Sequence, residues 1–358
     1  MGVHNITGNV TDIWNTWNYT NIVKLVFFIL VCLATLLLNS AVMLAIIRNR
    51  SLRTPTNYFL FSLSIADILT ALLTLPGHLL GEFEVLHGHE LACVAVNSPT
   101  FVLPCAALLS LVAASVERYI ALIYPLRYPT LVSSRKIITV IVAVWLYALL
   151  LGILPIAGVN NIRERAAMNH VLPACNLLRV TPGKYMGFVT LSTYIPGMLV
   201  LAYVNFRVFR IAHKQRRLVA AQYSQVQGAV LPETKRKVVI FVLFVLGHVY
   251  VASHLPILIA MAIDYRFYQI NIVTEVHVPF EIYVLSTCLL VLCPIAYPLI
   301  MAYGNRDVRA AVRRLCARRN QERQLWETTV TEFRVPVMNS TVQPQVKYIT
   351  EMATRLPS

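Results

Sequence analysis

Three ionisable side chains stand inside long apolar stretches of the sequence, where a charge is unfavourable unless it is paired or hydrated. Asp67 follows Leu-Ser-Ile-Ala, and Glu117 and Arg118 are neighbours in the segment Ser-Val-Glu-Arg-Tyr. An acid beside a base predicts a local ion pair, which a low dielectric strengthens. The alternative is that these two side chains anchor a helix end by snorkelling. An isolated carboxylate such as Asp67 indicates either a functional group or a water-bridged structural one.

The sequence lacks the motifs of common catalytic sites. It contains no H-E-x-x-H, no G-x-S-x-G, no P-loop and no pair of acids within its apolar runs. We therefore predict no enzymatic activity, no cofactor and no metal site.

The composition restricts the class of protein further. Of 358 residues, 57% are hydrophobic and only 13% are charged, whereas soluble domains carry about 25% charged residues. The mean hydropathy is +0.64. These values exclude a soluble two-domain enzyme and a disordered chain, and they predict a polytopic membrane protein.

Seven apolar runs are long enough to cross a bilayer as helices. They cover 23–47, 58–80, 92–124, 137–159, 185–212, 237–263 and 278–303. We expect residues 23–303 to form an all-α bundle of seven transmembrane helices. Residues 304–320 have apolar side chains on one face and arginines on the other, which predicts an amphipathic helix on the membrane surface. Residues 321–358 are polar and predict a disordered cytoplasmic tail.

The distribution of basic residues predicts the orientation of the chain. By the positive-inside rule, the side richer in Lys and Arg is cytoplasmic. Of the 31 Lys and Arg, 25 fall on the side that carries the C-terminus. Segment 1–22 is therefore expected outside the plasma membrane, where three sequons predict glycosylation at Asn5, Asn9 and Asn18. The net charge of +15 thus reports topology, and we exclude nucleic acid as a partner.

Polar residues and prolines occupy characteristic places within these runs. They are Asn39, Asp67, Glu117-Arg118-Tyr119, Trp145, Pro196, Pro256, Tyr297 and Pro298. In this order, over about residues 23–319, the set resembles the rhodopsin-like (class A) G-protein-coupled receptors. The resemblance implies a cell-surface receptor that binds a ligand outside and activates a heterotrimeric G protein inside. It also implies a tail that receptor kinases and arrestin bind, with a solvated linker as the alternative.

The resemblance assigns roles to individual residues. Glu117, Arg118 and Tyr119 match the D/E-R-Y motif that couples to the G protein, and the other residues of the set have structural or switching roles. Cys93 and Cys175 match the family's outer disulfide, with two unrelated thiols as the alternative. A further cysteine lies beside arginines and is a candidate for palmitoylation or simple packing; this is Cys316.

The ligand pocket is predicted by counting back from the D/E-R-Y motif. Amine receptors have an aspartate where this chain has Thr100, and opsins have a seventh-helix lysine, which 278–303 lacks. The candidate lining is mostly apolar with a few hydroxyls and one histidine: Thr100, Phe101, Pro104, Thr190, His254, Leu258 and Thr287. Such a lining suits a small, largely uncharged ligand. Each of these residues has packing between helices as its alternative.

The sixth and seventh helices depart from the family pattern. The sixth has Ser-His254-Leu-Pro256 where the family has C-W-x-P. The seventh has Tyr297-Pro298-Leu-Ile-Met where the family has N-P-x-x-Y, and Cys293-Pro-Ile-Ala-Tyr297 is a displaced match that lacks the asparagine.

Two further departures affect the expected mechanism. Ala107 replaces a serine that often coordinates sodium, so we expect no bound sodium at Asp67. The sixth helix begins Lys235-Arg-Lys, with no acid opposite Arg118. This predicts a weak lock on the inactive state and some basal activity.

Two other functions remain open at this level. The amino-acid sequence around Glu117 and the altered motifs of the sixth and seventh helices resemble those of fish-type odorant receptors, which suggests an olfactory role. A seven-span transporter or channel is the alternative from a different class. It predicts paired intramembrane charges or inverted repeats, and the sequence has one deep carboxylate, Asp67, and no internal repeat.

Overall fold

The computed structural model describes residues 10–82, 86, 89–160, 175, 180–224, 235–269, 280–304 and 308–314. All secondary structure in these ranges is helical. The α-helices are α1 (Val10–Arg48), α2 (Pro55–Leu69), α3 (Leu75–Glu82), α4 (Glu90–Asn97), α5 (Pro99–Ile123), α6 (Tyr128–Leu131), α7 (Ser134–Ile156), α8 (Gly183–Val189), α9 (Ile195–Ser224), α10 (Lys235–Gln269) and α11 (Phe280–Gly304). A short helical segment at 308–314 follows.

Among the described residues, seven spans are long and apolar enough to cross a membrane, which confirms the predicted fold class. They are Ile22–Arg48, Pro55–Leu80, Glu90–Ile123, Ser134–Ile156, Gly183–Lys214, Ile240–Ala260 and Val284–Tyr303. We number them one to seven. The first helix begins at Val10, well before the predicted run, because residues 10–48 contain neither proline nor glycine to end it.

Prolines explain the irregular places in the spans. The third span divides at Ser98, where Pro99 starts a new helix. The second and fifth spans each contain a five-residue π-turn, at Thr70–Thr74 and Thr190–Tyr194. A proline follows each turn and lacks the N–H that would continue the helical ladder.

The third span lies at the centre of the bundle, where α5 packs against the second, fourth, fifth and sixth spans. Ser62 and Ser110 share a 3.0 Å hydrogen bond, and the Trp145 indole donates to Ser62 at 3.0 Å. These bonds join the second, third and fourth spans. The structural or switching role that the resemblance implies for Trp145 stays a prediction.

The first span packs against the second and seventh. Val31, Ala71 and Val291 form a buried cluster there. The Asn39 amide donates to the carbonyl oxygens of Thr35 at 3.1 Å and Pro294 at 3.0 Å. The second bond places Pro294, from the displaced seventh-helix match, against the first span.

Glycines allow close helix packing at one further contact. A Cβ added at Gly152 would lie 2.2 Å from a methyl group of Val102, whereas one added at Gly187 would meet nothing within 4 Å. We predict that Gly152→Ala destabilises the protein by about 1–3 kcal/mol because it overpacks the contact between the third and fourth spans.

A thermal unfolding scan of the purified protein checks this prediction, with Gly187→Ala as the matched control. Both variants add the same methyl group to a helix. Equal unfolding temperatures for the two variants would contradict the packing argument.

Candidate functional site

A buried carboxylate near the C-terminal end of the third span accepts hydrogen bonds from three parts of the chain. Glu117 is 4% exposed. Arg118 donates to both of its oxygens, from Nε to Oε2 at 2.6 Å and from Nη2 to Oε1 at 2.7 Å. The ion pair expected from the sequence is therefore present in bidentate form, the strongest geometry for a guanidinium and a carboxylate.

Two hydroxyl groups complete the surroundings of Glu117. Thr56, at the start of the second span, donates to Oε2 at 2.7 Å. Tyr128, in the short helix α6, donates to Oε1. Four hydrogen bonds offset the burial of the carboxylate. Through these bonds, the second span and the connection after the third span both contact the Glu117 carboxylate.

Tyr128 is held in its donating form. Burial raises the pKa of the Tyr128 hydroxyl above its ordinary value, and the hydrogen bond to Glu117 raises it further. The hydroxyl therefore stays protonated over the physiological pH range and keeps its bond to the carboxylate.

Tyr119 lies on a different face of the same helix. It packs with Leu122 against a buried cluster of Val204, Val208 and Ile240, which belong to the fifth and sixth spans. The Glu-Arg-Tyr segment thus contacts the second span on one side and the fifth and sixth spans on the other.

The first half of the sixth span is hydrogen-bonded to the fifth span. Residues 235–256 contain no Asp or Glu. The Asn205 amide donates to the Leu243 carbonyl at 3.3 Å. A Cβ added at Gly247 would lie 2.2 Å from Asn205 Nδ2, so the glycine permits this close approach.

Two polar residues of the fifth span, Tyr203 and Asn205, lie two positions apart in the sequence and differ sharply in burial. Tyr203 is 61% exposed and points away from the bundle, whereas Asn205 is 2% exposed. The helical period contained the signal: Asn205 lies four residues after Leu201 and three before Val208, both buried.

A chain of buried polar groups crosses the middle of the bundle. Tyr250 donates to the Pro104 carbonyl at 2.8 Å, and its ring stacks on His254 with centroids 3.8 Å apart. Ser253 bonds to His254 Nδ1 at 3.0 Å and to the Cys293 sulfur at 3.1 Å.

This series of buried polar groups ends on the seventh span. The Cys293 thiol and the Tyr297 hydroxyl lie 2.7 Å apart, and both residues are buried. The segment Cys293-Pro-Ile-Ala-Tyr297 therefore faces the bundle, and it connects the seventh span to the altered sixth-span motif.

The predicted pocket residues occupy the third, fifth, sixth and seventh spans, and the structure links some of them. Phe101 packs edge-to-face on Tyr185 with centroids 5.4 Å apart. Pro104 and His254 are connected through Tyr250. The remaining candidates are partly buried, with no mutual contact described: Thr100, Thr190, Leu258 and Thr287.

Asp67 lies mid-way along the second span. It is 3% exposed, and its Oδ2 atom has no hydrogen-bond partner among the described residues. No group of three potential metal-ligating His, Cys, Asp or Glu occurs in the described part of the chain. The role of Asp67 stays a prediction.

The N-terminal end of the third span is joined to the connection between the fourth and fifth spans. Cys93 and Cys175 form a disulfide in the structure. Asn97 donates to the Cys93 carbonyl at 2.9 Å and lies 3.4 Å from the Cys175 sulfur. Asn5, Asn9 and Cys316 fall outside the described residues, as does most of 304–320 and all of 321–358; Asn18 lies within α1.

Comparison with known proteins identifies the family. The profile described as "7 transmembrane receptor (rhodopsin family)" matches residues 38–301. The chain is 33% identical to the histamine H2 receptor of Canis lupus familiaris over 52% of each chain. It is 31% identical to the octopamine receptor beta-1R of Drosophila melanogaster, over 53% of this chain and 37% of that receptor.

A third relative is the adenosine receptor A2b of Rattus norvegicus, 30% identical over 49% of this chain and 57% of the receptor. The matched part of the chain spans about half the length of the histamine and adenosine receptors. The profile match covers most of the chain, including six of the seven spans in full length or nearly so. The protein therefore belongs to the rhodopsin family of seven-transmembrane receptors.

Proposed function

We propose that this protein is a plasma-membrane receptor that binds a small, largely uncharged ligand from outside and activates a heterotrimeric G protein inside. The observation that carries the proposal is the bonding of Glu117 at the inner end of the third span. Arg118 is bound there by its neighbour alone among the described charged groups, so releasing one carboxylate frees the guanidinium to contact a partner.

The polar chain through the middle of the bundle supports the link between the two ends. It begins at Pro104 and His254, which are proposed to border the ligand, and it ends at Tyr297 in the seventh span. A ligand that displaced His254 would disturb its bonds to Ser253 and, through them, Cys293. A packed network of this kind has the physical continuity that coupling between sites requires.

The ligand class is argued from the outer half of the third span. Thr100 stands where amine receptors of the family have an aspartate, and the described residues of that helix above Glu117 include no acid except Glu90 at its outer start. An ammonium group held in the amine-receptor manner therefore has no counter-ion on this helix. Histamine and octopamine appear in the names of two relatives, and we do not assign either ligand to this chain.

The remaining assignments extend the proposal. The N-terminus lies outside, with sugars on Asn5, Asn9 and Asn18, and Cys316 carries a palmitoyl group beside the inner leaflet. Residues 304–320 form the amphipathic helix and 321–358 the cytoplasmic tail that kinases and arrestin bind. Olfaction is one possible use of such a receptor, and an odorant panel tests it.

We predict that the wild-type receptor raises a second messenger in cells, and that Arg118→Ala abolishes most of the response. The physical reason is that the guanidinium supplies the charge-assisted contact to the G protein. The assay uses all major G-protein classes and a panel of odorants, lipids, adenosine and amines, with surface expression measured in parallel.

Arg135→Ala is the matched control, since Arg135 is an exposed arginine at the inner start of the fourth span. Absence of basal and ligand-evoked signal with every G protein would contradict the proposal. Solute or ion flux that survives Arg118→Ala would favour a transporter.

We predict that Gly247→Ala raises basal signalling. The added methyl group would displace Asn205, which then loses its bond to the Leu243 carbonyl. One hydrogen bond is worth about 1 kcal/mol, so the equilibrium between inactive and active states shifts about fivefold.

Ligand-free second-messenger output, normalised to surface expression, measures this shift. Asn205→Leu removes the same bond without the added methyl and should have the same sign of effect. Gly187→Ala is the control. Unchanged or lower basal output from both test variants would show that the contact between the fifth and sixth spans does not restrain the receptor.

We predict that Thr100→Val lowers the potency of the activating ligand about fivefold, because it removes one hydroxyl while keeping the side-chain volume. Dose–response curves measure the change. Thr139→Val is the matched control, since the Thr139 hydroxyl bonds to its own helix at the exposed start of the fourth span. Equal potency for wild type and Thr100→Val would remove Thr100 from the proposed pocket.

A further inference from the structure

The two ring nitrogens of His254 have different surroundings in the middle of the bundle. Nδ1 lies 3.0 Å from the carbonyl oxygen of Tyr250 and 3.0 Å from the hydroxyl oxygen of Ser253. Nε2 has no hydrogen-bond partner among the described residues, and it is not one of their fully buried polar atoms that lack a partner. His254 as a whole is 8% exposed. Nε2 is therefore the ring nitrogen that a molecule inside the bundle can reach.

The contact with Tyr250 assigns the proton to Nδ1. A carbonyl oxygen carries no hydrogen and only accepts, so Nδ1 must donate to it. Ser253 does not reverse this assignment, because its single hydroxyl hydrogen has two other acceptors. These are the Tyr250 carbonyl at 3.0 Å and the Cys293 sulfur at 3.1 Å. A neutral imidazole with its proton on Nδ1 has an accepting lone pair on Nε2.

The His254 ring is neutral in these surroundings. No charged side chain in the described part of the chain bonds to it, and a buried cation without a counter-ion has a large desolvation cost. The Tyr250 ring covers one face of the imidazole, with centroids 3.8 Å apart and planes 10° apart. The stacking and the Nδ1 bond together fix the direction of Nε2, which is a neutral acceptor.

A second free acceptor lies on the third span, at a predicted pocket residue. Pro104 lies inside that helix and has no N–H, so the carbonyl oxygen of Thr100 lacks the donor four residues later that a helix normally supplies. Tyr250 connects the two spans, since its hydroxyl donates to the Pro104 carbonyl at 2.8 Å. Both free acceptors therefore belong to the pair of spans that Tyr250 joins.

We infer that the ligand is an uncharged alcohol or phenol whose hydroxyl group donates a hydrogen bond to His254 Nε2. This inference rests on the proposed function, in which His254 borders the ligand, and it names the chemical group that the pocket recognises. The tryptophan that the family has at this position carries only an N–H donor, so His254 reverses the direction of the hydrogen bond. A carboxylate, ketone or ether presents only lone pairs to Nε2 and gains no bond there.

A metal ion is the other partner that a neutral imidazole nitrogen binds. Protein sites hold such an ion with several side-chain ligands. The described residues contain no group of three His, Cys, Asp or Glu that could supply them, whereas a hydroxyl donor needs only one acceptor.

The first test is nitrogen NMR of the full-length receptor, carrying isotope-labelled histidine and reconstituted in lipid nanodiscs. The signals of His254 are assigned by their loss in His254→Phe, which keeps a ring to stack on Tyr250. We expect a protonated Nδ1 and an unprotonated Nε2 in the absence of any ligand. The opposite tautomer, or an imidazolium with both nitrogens protonated, would overturn the inference.

The second test compares matched uncharged probes by thermal unfolding of the purified receptor over a range of probe concentrations. One pair is octanol and its isomer methoxyheptane, and the other is para-cresol and para-methylanisole. We expect each hydroxyl compound to bind about fivefold more tightly than its ether, as one hydrogen bond provides. His254→Phe should remove this preference.

His248→Phe is the matched control for the second test. His248 also bonds through Nδ1 to the carbonyl oxygen four residues earlier, that of Phe244, at 2.7 Å, but it is exposed on the surface of the sixth span. The control variant should keep the wild-type preference for the hydroxyl compounds.

Equal binding of hydroxyl compound and ether to the wild type would overturn the inference, as would the absence of binding by either hydroxyl compound. A preference that persists in His254→Phe would remove Nε2 from the site. Tighter binding of octylamine than of octanol would show that the pocket recognises a charge instead. Both tests need no G protein, so a failure of signalling and a failure of this inference are distinguishable.

Discussion

The four hydrogen bonds to the Glu117 carboxylate are the interaction on which the inner face of this receptor depends. A carboxylate that is 4% exposed is tolerated only if its oxygens are satisfied. The donors are Arg118 of the third span, Thr56 of the second span and Tyr128 of the connection after the third span. Loss of any one donor leaves the remaining donors to offset the buried charge.

The rest of the inner face is consistent with this design. Arg118 is occupied by Glu117 instead of by an acid on the sixth span, and that span is fastened to the fifth through Asn205 and Gly247. In the described part of the chain, one hydrogen bond and one close backbone approach join the first half of the sixth span to the fifth. A single hydrogen bond is weaker than a buried ion pair.

The sequence predicted the features that depend on local pattern. The seven apolar runs and the Glu117–Arg118 pair follow from hydropathy and adjacency, and the structure contains both. The partners of Glu117 were not predictable, because Thr56 and Tyr128 are 61 and 11 residues away and nothing local marks them as donors. The π-turns were missed for a related reason: a proline predicts a defect in the helix but not the size of the turn that accommodates it.

The altered motifs were read as departures, and the structure gives them contacts. His254 was predicted to line a pocket, and it stacks on Tyr250 and bonds to Ser253. Cys293 takes part in a chain that reaches Tyr297. A linear pattern lists which residues are unusual, whereas only the packing of the sixth span on the seventh reveals that these unusual residues meet.

The most direct test of the account is the distance between the inner ends of the fourth and sixth spans. Spin-labelled amino acids at Ile138 and Phe241, both exposed, report it by double electron–electron resonance in the wild type and in Glu117→Gln. If Glu117 holds the closed arrangement, the wild type gives mainly a short distance and the variant gains a longer component. Identical distance distributions in the two proteins, with both folded, would contradict the central role of this carboxylate.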